Sequence, residues 1–248
     1  MVIISGQVQS HLIGTDAFQE TDMIGVSRPI VKHSFTVDKQ ENIANIVAEA
    51  FHIATSGRQG PVLIDVPKDL TNPDDLFDFV YPDKVHVRSY NPPTKPENHQ
   101  VSRAVDAILA SERPVIYAGG GTISSNASKE LRELNDLIDA PVTNTLMGLG
   151  VFPGTHKRFL GMLGMHGTYQ ANMAMHNADL IIALGARFDD RITNAPDKFA
   201  HRAKVIHFDV DHSSVSKIIE ADIAVFGQIK DSLPVSYTHL RAHETINH

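Results

Sequence analysis

The sequence contains no cysteine and no tryptophan among its 248 residues. Without cysteine there can be no disulfide, thiolate nucleophile or Cys-ligated zinc site. Basic residues are outnumbered by acidic ones: the sequence has 22 lysines and arginines and 29 aspartates and glutamates, for a net charge of −7. That balance argues against a nucleic-acid partner. The apolar runs fall well short of the roughly 18 residues of a membrane span. We therefore expect a soluble protein of a reducing compartment, with neither nucleic acid nor membrane as partner.

Composition and length are those of a globular protein of one or two domains, with 42% hydrophobic and 21% charged residues. Both ends are unusual. The chain starts with an apolar strand pattern and no basic leader. Residues 235–248 show no helix or strand period, and we expect them to be a non-native tail. The histidines of this tail, His239, His243 and His248, are then poor metal-ligand candidates.

Residues 1–70 carry the pattern of half a βαβ unit. A strand is expected at 2–5, followed by a short helix beginning at Thr15 or Asp16, both good N-caps. Apolar residues at helical spacing, Phe51 among them, predict an amphipathic helix over 42–56 that ends at Gly57. A buried strand is expected at 62–66.

Residues 71–97 hold five of the 13 prolines and no sustained period, which predicts a linker. A second domain begins near Asn98. Its pattern predicts helices over 101–109, from the glycine triplet to about 138, and over 171–177. Strands are expected at 114–118, 141–145, 180–184 and 205–210. This alternation indicates a parallel sheet with helices on both faces.

Two stretches of the second domain have the residues of a ligand site. Gly119, Gly120 and Gly121 end a strand, where glycine lets backbone N–H groups approach a diphosphate; a tight strand-to-helix turn explains them equally well. Residues 185–191 also follow a strand and contain two arginines suited to a diphosphate or a carboxylate. A surface network of arginine and aspartate is the alternative.

Two further stretches allow more than one interpretation. His207, Asp209 and Asp211 share one strand face. They predict a nucleotide contact first, structural capping second and a metal site third. Residues 161–167 form a glycine-framed apolar segment whose methionines could pack on a flat ring, although by itself the pattern fits a buried loop better.

Taken together, the motifs resemble the catalytic subunits of the acetohydroxyacid synthase (acetolactate synthase) family, over residues 1–234. The resemblance rests on motifs that occur in the family's order: Ser-Gly-Gln-Val (5–8), Ile-Gly-Thr-Asp-Ala-Phe-Gln-Glu (13–20), Lys-His-Ser-Phe (32–35), Ser-Gly-Arg-Gln-Gly-Pro-Val (56–62), Asp-Val-Pro-Lys-Asp (65–69), Ala-Gly-Gly-Gly (118–121), Gly-Met-Leu-Gly-Met-His-Gly-Thr (161–168) and Gly-Ala-Arg-Phe-Asp-Asp-Arg (185–191).

The resemblance implies an α/β fold: the C-terminal part of a thiamine-diphosphate pyrimidine-binding domain (1–70), a linker (71–97) and a parallel-sheet central FAD-binding domain (98–234). It implies a transferase of branched-chain amino acid (valine and isoleucine) biosynthesis that condenses pyruvate with pyruvate or 2-ketobutyrate and releases CO₂. The implied cofactors are thiamine diphosphate, Mg²⁺ and a structural FAD. A homodimer or homotetramer, a regulatory small subunit, and a cytoplasmic (bacterial) or organellar (eukaryotic) location are implied as well.

Residue by residue, Phe18, Gln19 and Lys68 resemble positions of the active site and its substrate channel. Met165 and Arg191 resemble the pair that receives the second keto acid. The positions that resemble FAD contacts are Arg58, Gly119, Gly120, Gly121, Thr145, Leu146, Leu163, Gly164, Met165, His166, Gly185, Arg187, Asp189, Arg191, Asp209 and Val210.

The sequence departs from the family at three places. Gly227 is followed by Gln228 where the family has Gly-Asp, and the glutamate that activates thiamine diphosphate has no counterpart here. No Gly-Asp pair exists to begin the motif that binds Mg²⁺ and diphosphate. We therefore expect the chain as given not to turn over pyruvate. Alternatives are another thiamine-diphosphate enzyme, of the pyruvate oxidase or glyoxylate carboligase type, or an inactive flavin-nucleotide binding module.

Overall fold

The computed structural model describes residues 1–246, and side chains as far as residue 241. The chain forms two compact units, the first Met1–Asn91 and the second beginning at Pro92. No helix in this described part is both long and apolar enough to cross a membrane. Each unit contains one parallel sheet.

The first unit is built on a three-stranded parallel sheet in the order β1-β3-β2. Its elements are β1 (Val2–Gln7), α1 (Met23–Ser27), β2 (His33–Thr36), α2 (Ile43–Thr55) and β3 (Val62–Pro67). The central strand β3 is a nearly continuous apolar run, as expected for a strand covered on both faces. The expected strands at 2–5 and 62–66 and the helix over 42–56 are confirmed, although Phe51 is 53% exposed.

The prediction of a helix beginning at Thr15 or Asp16 is wrong. Those residues lie in a turn, where Asp16 has a left-handed φ of 58°. The helix begins later, at Met23, because the carboxylate of Asp22 accepts the N–H of Gly25 at 2.8 Å and caps the first turn. Strand β2 was not predicted, since its four residues alternate too briefly to give a period.

The second unit is built on a six-stranded, wholly parallel sheet in the order β6-β5-β4-β7-β8-β9. Its strands are β4 (Pro114–Ala118), β5 (Val142–Asn144), β6 (Phe159–Met162), β7 (Leu180–Leu184), β8 (Lys204–Asp209) and β9 (Ile223–Phe226). Its helices are α3 (Asn98–Leu109), α4 (Gly120–Ser124), α5 (Ser128–Ile138), α6 (Tyr169–Asn177), α7 (Asp190–Thr193) and α8 (Ile229–Ile246).

Helices cover both faces of this sheet, as expected. One core packs α3, α5 and α8 against alternate residues such as Ile116 and Ile182. The other packs α6 and the aromatic Phe188 against residues of opposite parity, such as Tyr117 and Ile181. Both parities are apolar, so the strands appear in the sequence as continuous apolar runs.

Three expectations for the second unit need correction. Residues 120–138 form two helices, because Asn126 adopts a left-handed φ of 55° between them. Strands β6 and β9 were not predicted, and β6 reaches into the segment expected to be only a loop. Residues 235–246 belong to α8 and so have regular structure: Leu233, Ser236 and Leu240 form one buried helix face. Their non-native origin stays a prediction, and His248 lies outside the described residues.

Candidate functional site

The strand order places a switch point between β4 and β7. From β4 the chain continues outward to β5 and β6, then returns to the other side of β4 to add β7, β8 and β9. Ligands in open α/β sheets bind outside the carboxyl ends of the strands at such a point. Ala118 pairs with Leu184 at this edge, so the turns 119–121 and 185–187 leave the sheet side by side.

The glycines of these two turns permit very close backbone contact. A Cβ on Gly119 would lie 2.3 Å from the carbonyl oxygen of Gly185, and a Cβ on Gly121 would lie 2.7 Å from the Gly185 Cα. The N–H of Gly119 donates to the Leu184 carbonyl at 2.9 Å, and that of Gly121 to the Gly185 carbonyl at 3.0 Å. Two of the three N–H groups expected to face a diphosphate are therefore used inside the chain. This geometry supports the tight-turn interpretation of the motif, and the expected contact with a diphosphate stays a prediction.

The loop after β6 is hydrogen-bonded to the backbone of Arg191. The Met165 N–H donates to the Arg191 carbonyl oxygen at 2.9 Å. Gly164 makes this contact possible, because its φ is +101° and a side chain at this position would place its Cβ only 2.7 Å from that same oxygen. Met165 is 65% exposed beside the joined segments, and His166 next to it is also exposed. The structure thus brings together two residues that are 26 positions apart.

The segment after β7 is shaped by its own caps. Asp189 accepts the N–H of Arg191 at 3.0 Å and is the N-cap of α7. The Tyr117 hydroxyl donates to the Arg187 carbonyl at 3.3 Å, and burial, followed by the charge of Asp189, raises the pKa of this hydroxyl so that it stays a neutral donor. The Arg187 side chain is exposed. Arg191 meets Asp190 at 3.8 Å with both side chains largely exposed, a pairing that contributes little.

The end of β5 adds polar atoms to the same edge. The Thr145 N–H donates to the Ala118 carbonyl at 3.0 Å, and Leu146 is 68% exposed. In the described part of the chain, the Thr145 hydroxyl and the Asn144 side-chain oxygen are buried without a hydrogen-bond partner. Sequence reasoning missed Gly148. A Cβ added at this position would lie 2.3 Å from the Ala118 carbonyl oxygen, which is too close for any side chain.

The end of β8 forms a capped turn. The Asp209 carboxylate accepts the N–H of Asp211 at 2.9 Å, and Asp211 in turn accepts the N–H of Ser213 at 3.0 Å. Val210 between them is half-buried. His207 is fully buried, 3.7 Å from Asp209. No group of three or more His, Cys, Asp or Glu side chains that could hold a metal occurs within the described residues. This geometry supports the structural-capping interpretation.

In the first unit, Phe18, Gln19 and Lys68 line one cavity of about 360 Å³. The loop that carries Phe18 and Gln19 is held by Glu20, whose carboxylate accepts the N–H groups of Gly14 and Ala17, whereas Lys68 directly follows β3. These bonds, the one from Gly14 first, lower the pKa of Glu20. Gln19 has φ of +66° and Phe18 is 89% exposed. Arg58 lies in the turn between α2 and β3.

Gln7, which lines this cavity, is hydrogen-bonded to a buried carboxylate that the sequence reasoning missed. Asp65, on β3, is 4% exposed and accepts one hydrogen bond from the Gln7 side chain at 3.1 Å. Gln7 also donates to the carbonyl of Thr21 at 2.7 Å and so holds the end of the loop. Burial raises the pKa of Asp65. A strand pattern with one aspartate among apolar residues is the signal that could have identified it.

We expect Asp65→Asn to raise the melting temperature of the first unit at neutral pH. Because the pKa of Asp65 is raised on folding, its contribution to stability falls as pH rises above the ordinary value of 3.8. An amide keeps an acceptor for Gln7 and removes the buried charge. Thermal unfolding of both proteins at pH 7 and near pH 3 measures this, and the difference should shrink in acid.

Asp69→Asn is the matched control. Hydrogen bonds from Ser10, the backbone one first, lower the pKa of Asp69, so its contribution is present at neutral pH and lost in acid. The same change should therefore lower the melting temperature at pH 7. If both substitutions shift it in the same direction, burial of Asp65 is not the cause.

Comparison with known proteins finds one matching family model and relatives that share one name. A family model described as "Thiamine pyrophosphate enzyme, central domain" matches residues 101–235. The acetolactate synthase large subunit of Buchnera aphidicola subsp. Acyrthosiphon pisum is 53% identical over 247 residues, 100% of this chain and 43% of that protein. Acetolactate synthase isozyme 3 large subunit of Escherichia coli (strain K12) is 50% identical over 233 residues, 94% of this chain and 41% of that protein. The chain spans about two fifths of the length of these relatives.

Proposed function

The chain belongs to the thiamine pyrophosphate enzyme family, whose central domain it contains, and we propose that it is part of the catalytic large subunit of an acetolactate synthase. The observation that carries the proposal is the identity of 50–53% over at least 94% of the chain to large subunits of that name. The complete enzyme would condense pyruvate with pyruvate or 2-ketobutyrate. Thiamine diphosphate supplies the electron sink when bound, and its Mg²⁺ ligands would come from outside this chain.

The carboxyl edge of the six-stranded sheet is the proposed FAD site. It is the topological switch point, and the buried unpartnered oxygens of Asn144 and Thr145 fit a polar ligand there. Arg187 would pair with the diphosphate. The glycines 119–121 and Gly185 would keep side chains out of the ligand's path. The remaining proposed FAD contacts of this unit are Leu146, Leu163, Gly164, His166, Asp189, Asp209 and Val210, and Arg58, in the first unit, is proposed from the resemblance alone.

Met165 and Arg191 form the proposed acceptor site. The Met165 side chain offers apolar contact and the Arg191 guanidinium a bidentate partner for a carboxylate. The hydrogen bond between their backbones supports a joint role, because it fixes one residue beside the other. In the first unit, Phe18, Gln19 and Lys68 would contribute one wall of the active site, where the Gln19 amide can donate to a developing alkoxide.

The organisation of the whole enzyme is also proposed by analogy with the family. Residues 1–70 would be the latter part of a pyrimidine-binding domain and residues 98–234 the central FAD-binding domain. The complete subunit would form a homodimer or homotetramer and could associate with a regulatory small subunit. A bacterial enzyme of this kind would act in the cytoplasm.

The test of the activity uses the complete polypeptide that contains this chain. Incubated with pyruvate, thiamine diphosphate, Mg²⁺ and FAD, it should form acetolactate. Hydrogen peroxide as the main product would indicate an oxidase instead, and activity only with glyoxylate would indicate a carboligase of the glyoxylate type. Either result contradicts the proposal.

Flavin binding can be tested on the 248-residue chain itself. We expect Arg187→Ala to weaken FAD binding about 10- to 100-fold, because a charge-assisted hydrogen bond is worth about 1.5–3 kcal/mol. Quenching of flavin fluorescence on titration measures the dissociation constant. Arg132→Ala, an exposed arginine on α5, is the control and should bind FAD as the unaltered chain does. Equal affinity of both variants would contradict a role for Arg187.

A further inference from the structure

The side chain of Asn172, on α6, is bonded to the loop that carries Met165. Its Oδ1 accepts the N–H of Gly164 at 3.1 Å, and its Nδ2 donates to the carbonyl oxygen of the same Gly164, also at 3.1 Å. Nδ2 also donates to the Thr168 carbonyl at 3.0 Å. One amide group thus satisfies both backbone groups of a single glycine. None of the positions that resemble the family's site residues is Asn172.

The glycine held in this way is the one that contacts Arg191. Gly164 lies against the Arg191 carbonyl, and the next N–H, that of Met165, donates to that oxygen. The Asn172 amide and the Arg191 carbonyl therefore hold two successive residues of the loop. Loss of the Asn172 amide would therefore displace Met165 relative to Arg191.

The Asn172 amide borders open space on one side. A cavity of about 240 Å³ lies next to the amide, lined by Asn172, Leu163, Ile192 and Lys198 among others. Because this space is open, the loop could move into it once its hydrogen bonds are lost. The hydrogen bonds of Asn172 restrain Gly164 on this side, together with the one that the Gly167 N–H donates to the Gly164 carbonyl at 2.9 Å.

We propose that Asn172 is a positioning residue that holds the Gly164–Met165 turn against Arg191 and thereby sets the geometry of the acceptor keto-acid site. The identity of the substrate, an acceptor keto acid, rests on the proposed function. The hold on the loop is a property of this chain and can be measured without any activity. Asn172 acts through Met165 and Arg191 and does not itself meet the substrate.

The first measurement is amide hydrogen exchange in the 248-residue chain. Asn172→Ala should raise the exchange rates of the Gly164 and Met165 N–H groups about tenfold or more, as the loss of one to two hydrogen bonds predicts. Asn172→Asp keeps the acceptor for the Gly164 N–H but loses the donor, so the effect should be intermediate. The exchange of N–H groups in β7 reports whether the unit remains folded.

Asn177→Ala is the matched control on the same helix. The Asn177 amide donates to the Met173 carbonyl at 2.8 Å, the same i−4 bond that Asn172 makes to Thr168, without contacting the loop. The control should leave exchange at Gly164 and Met165 unchanged. Unchanged exchange in Asn172→Ala with β7 protected would overturn the proposal, as would an equal effect of Asn177→Ala.

The second measurement is made in the complete enzyme. Asn172→Ala should raise the KM for the acceptor keto acid about tenfold and release more aborted product, while the rate of pyruvate decarboxylation stays nearly constant. A general folding defect would lower both steps together. Faster exchange with an unchanged acceptor KM would overturn the role in the acceptor site, although the proposed function would stand. If the unaltered complete enzyme forms no acetolactate, the proposed function fails, and with it the acceptor role, while exchange still decides whether Asn172 holds the loop.

Discussion

Gly119→Ala should lower the free energy of unfolding of the second unit by roughly 2–3 kcal/mol, the upper part of the range for overpacking a close contact. The added Cβ would lie 2.3 Å from the Gly185 carbonyl oxygen and 2.6 Å from the Ala186 Cα, both backbone atoms. Backbone at the centre of a parallel sheet cannot move away without breaking the β4–β7 pairing. The melting temperature should fall by about 4–12 °C.

Gly154→Ala provides the comparison within the same unit. A Cβ at Gly154 would have its nearest neighbour at 4.0 Å, a ring carbon of Phe159. This substitution should be neutral, or stabilising by up to about 1 kcal/mol through the unfolded chain. Gly119 has φ of −111° and ψ of −175°, a conformation that alanine adopts freely, so only the steric contact distinguishes the two. Equal melting temperatures would show that the β4 and β7 turns are less tightly packed than described.

Arg191→Ala, in the complete enzyme, should impair use of the second keto acid about 10- to 100-fold and pyruvate decarboxylation much less. The loss of a charge-assisted hydrogen bond to the acceptor carboxylate, about 1.5–3 kcal/mol, gives that range. The backbone carbonyl that anchors Met165 is retained in the variant, so the loop should stay in place. The ratio of acetolactate to acetaldehyde, with flavin content as a check, measures the effect.

Asp190→Asn is the control for that experiment. Asp190 is the neighbour of the Arg191 side chain, at 3.8 Å and largely exposed, so its charge should matter little. The variant should keep the ratio of the unaltered enzyme. A ratio that does not change in Arg191→Ala, with flavin bound, would contradict the role of Arg191 in selecting the acceptor.

Secondary structure was predictable where apolar periodicity was long. The helices α2 and α3 and the strands β3, β4 and β7 follow from runs whose period or continuity is set by burial. The short strands β2 and β9 have four residues each, too few for a period. Helix α8 extends into residues whose pattern looked irregular, because a helix face needs only Leu233, Ser236 and Leu240 to pack.

The roles of the candidate site's residues stay predictions, and its geometry could be predicted from the sequence only in part. Motifs identified Met165 and Arg191 separately, and nothing in their spacing indicates that the Met165 N–H bonds to the Arg191 carbonyl. Asn172 and Gly148 were missed, since an asparagine on a helix and a glycine in a loop carry no pattern of their own. Their importance comes from backbone segments that meet only after folding.

The sequence by itself determined the α/β class, the parallel sheet of the second unit and the positions of its glycines and arginines, because burial periodicity and residue chemistry are local properties. The tertiary structure decided which neighbours those residues contact and which groups they bond to. The order β6-β5-β4-β7-β8-β9 places Gly119 against Gly185, so the N–H groups of Gly119 and Gly121 bond to the end of β7 and to the turn after it. Strand order and loop contacts depend on pairings between distant parts of the chain, which local pattern does not encode.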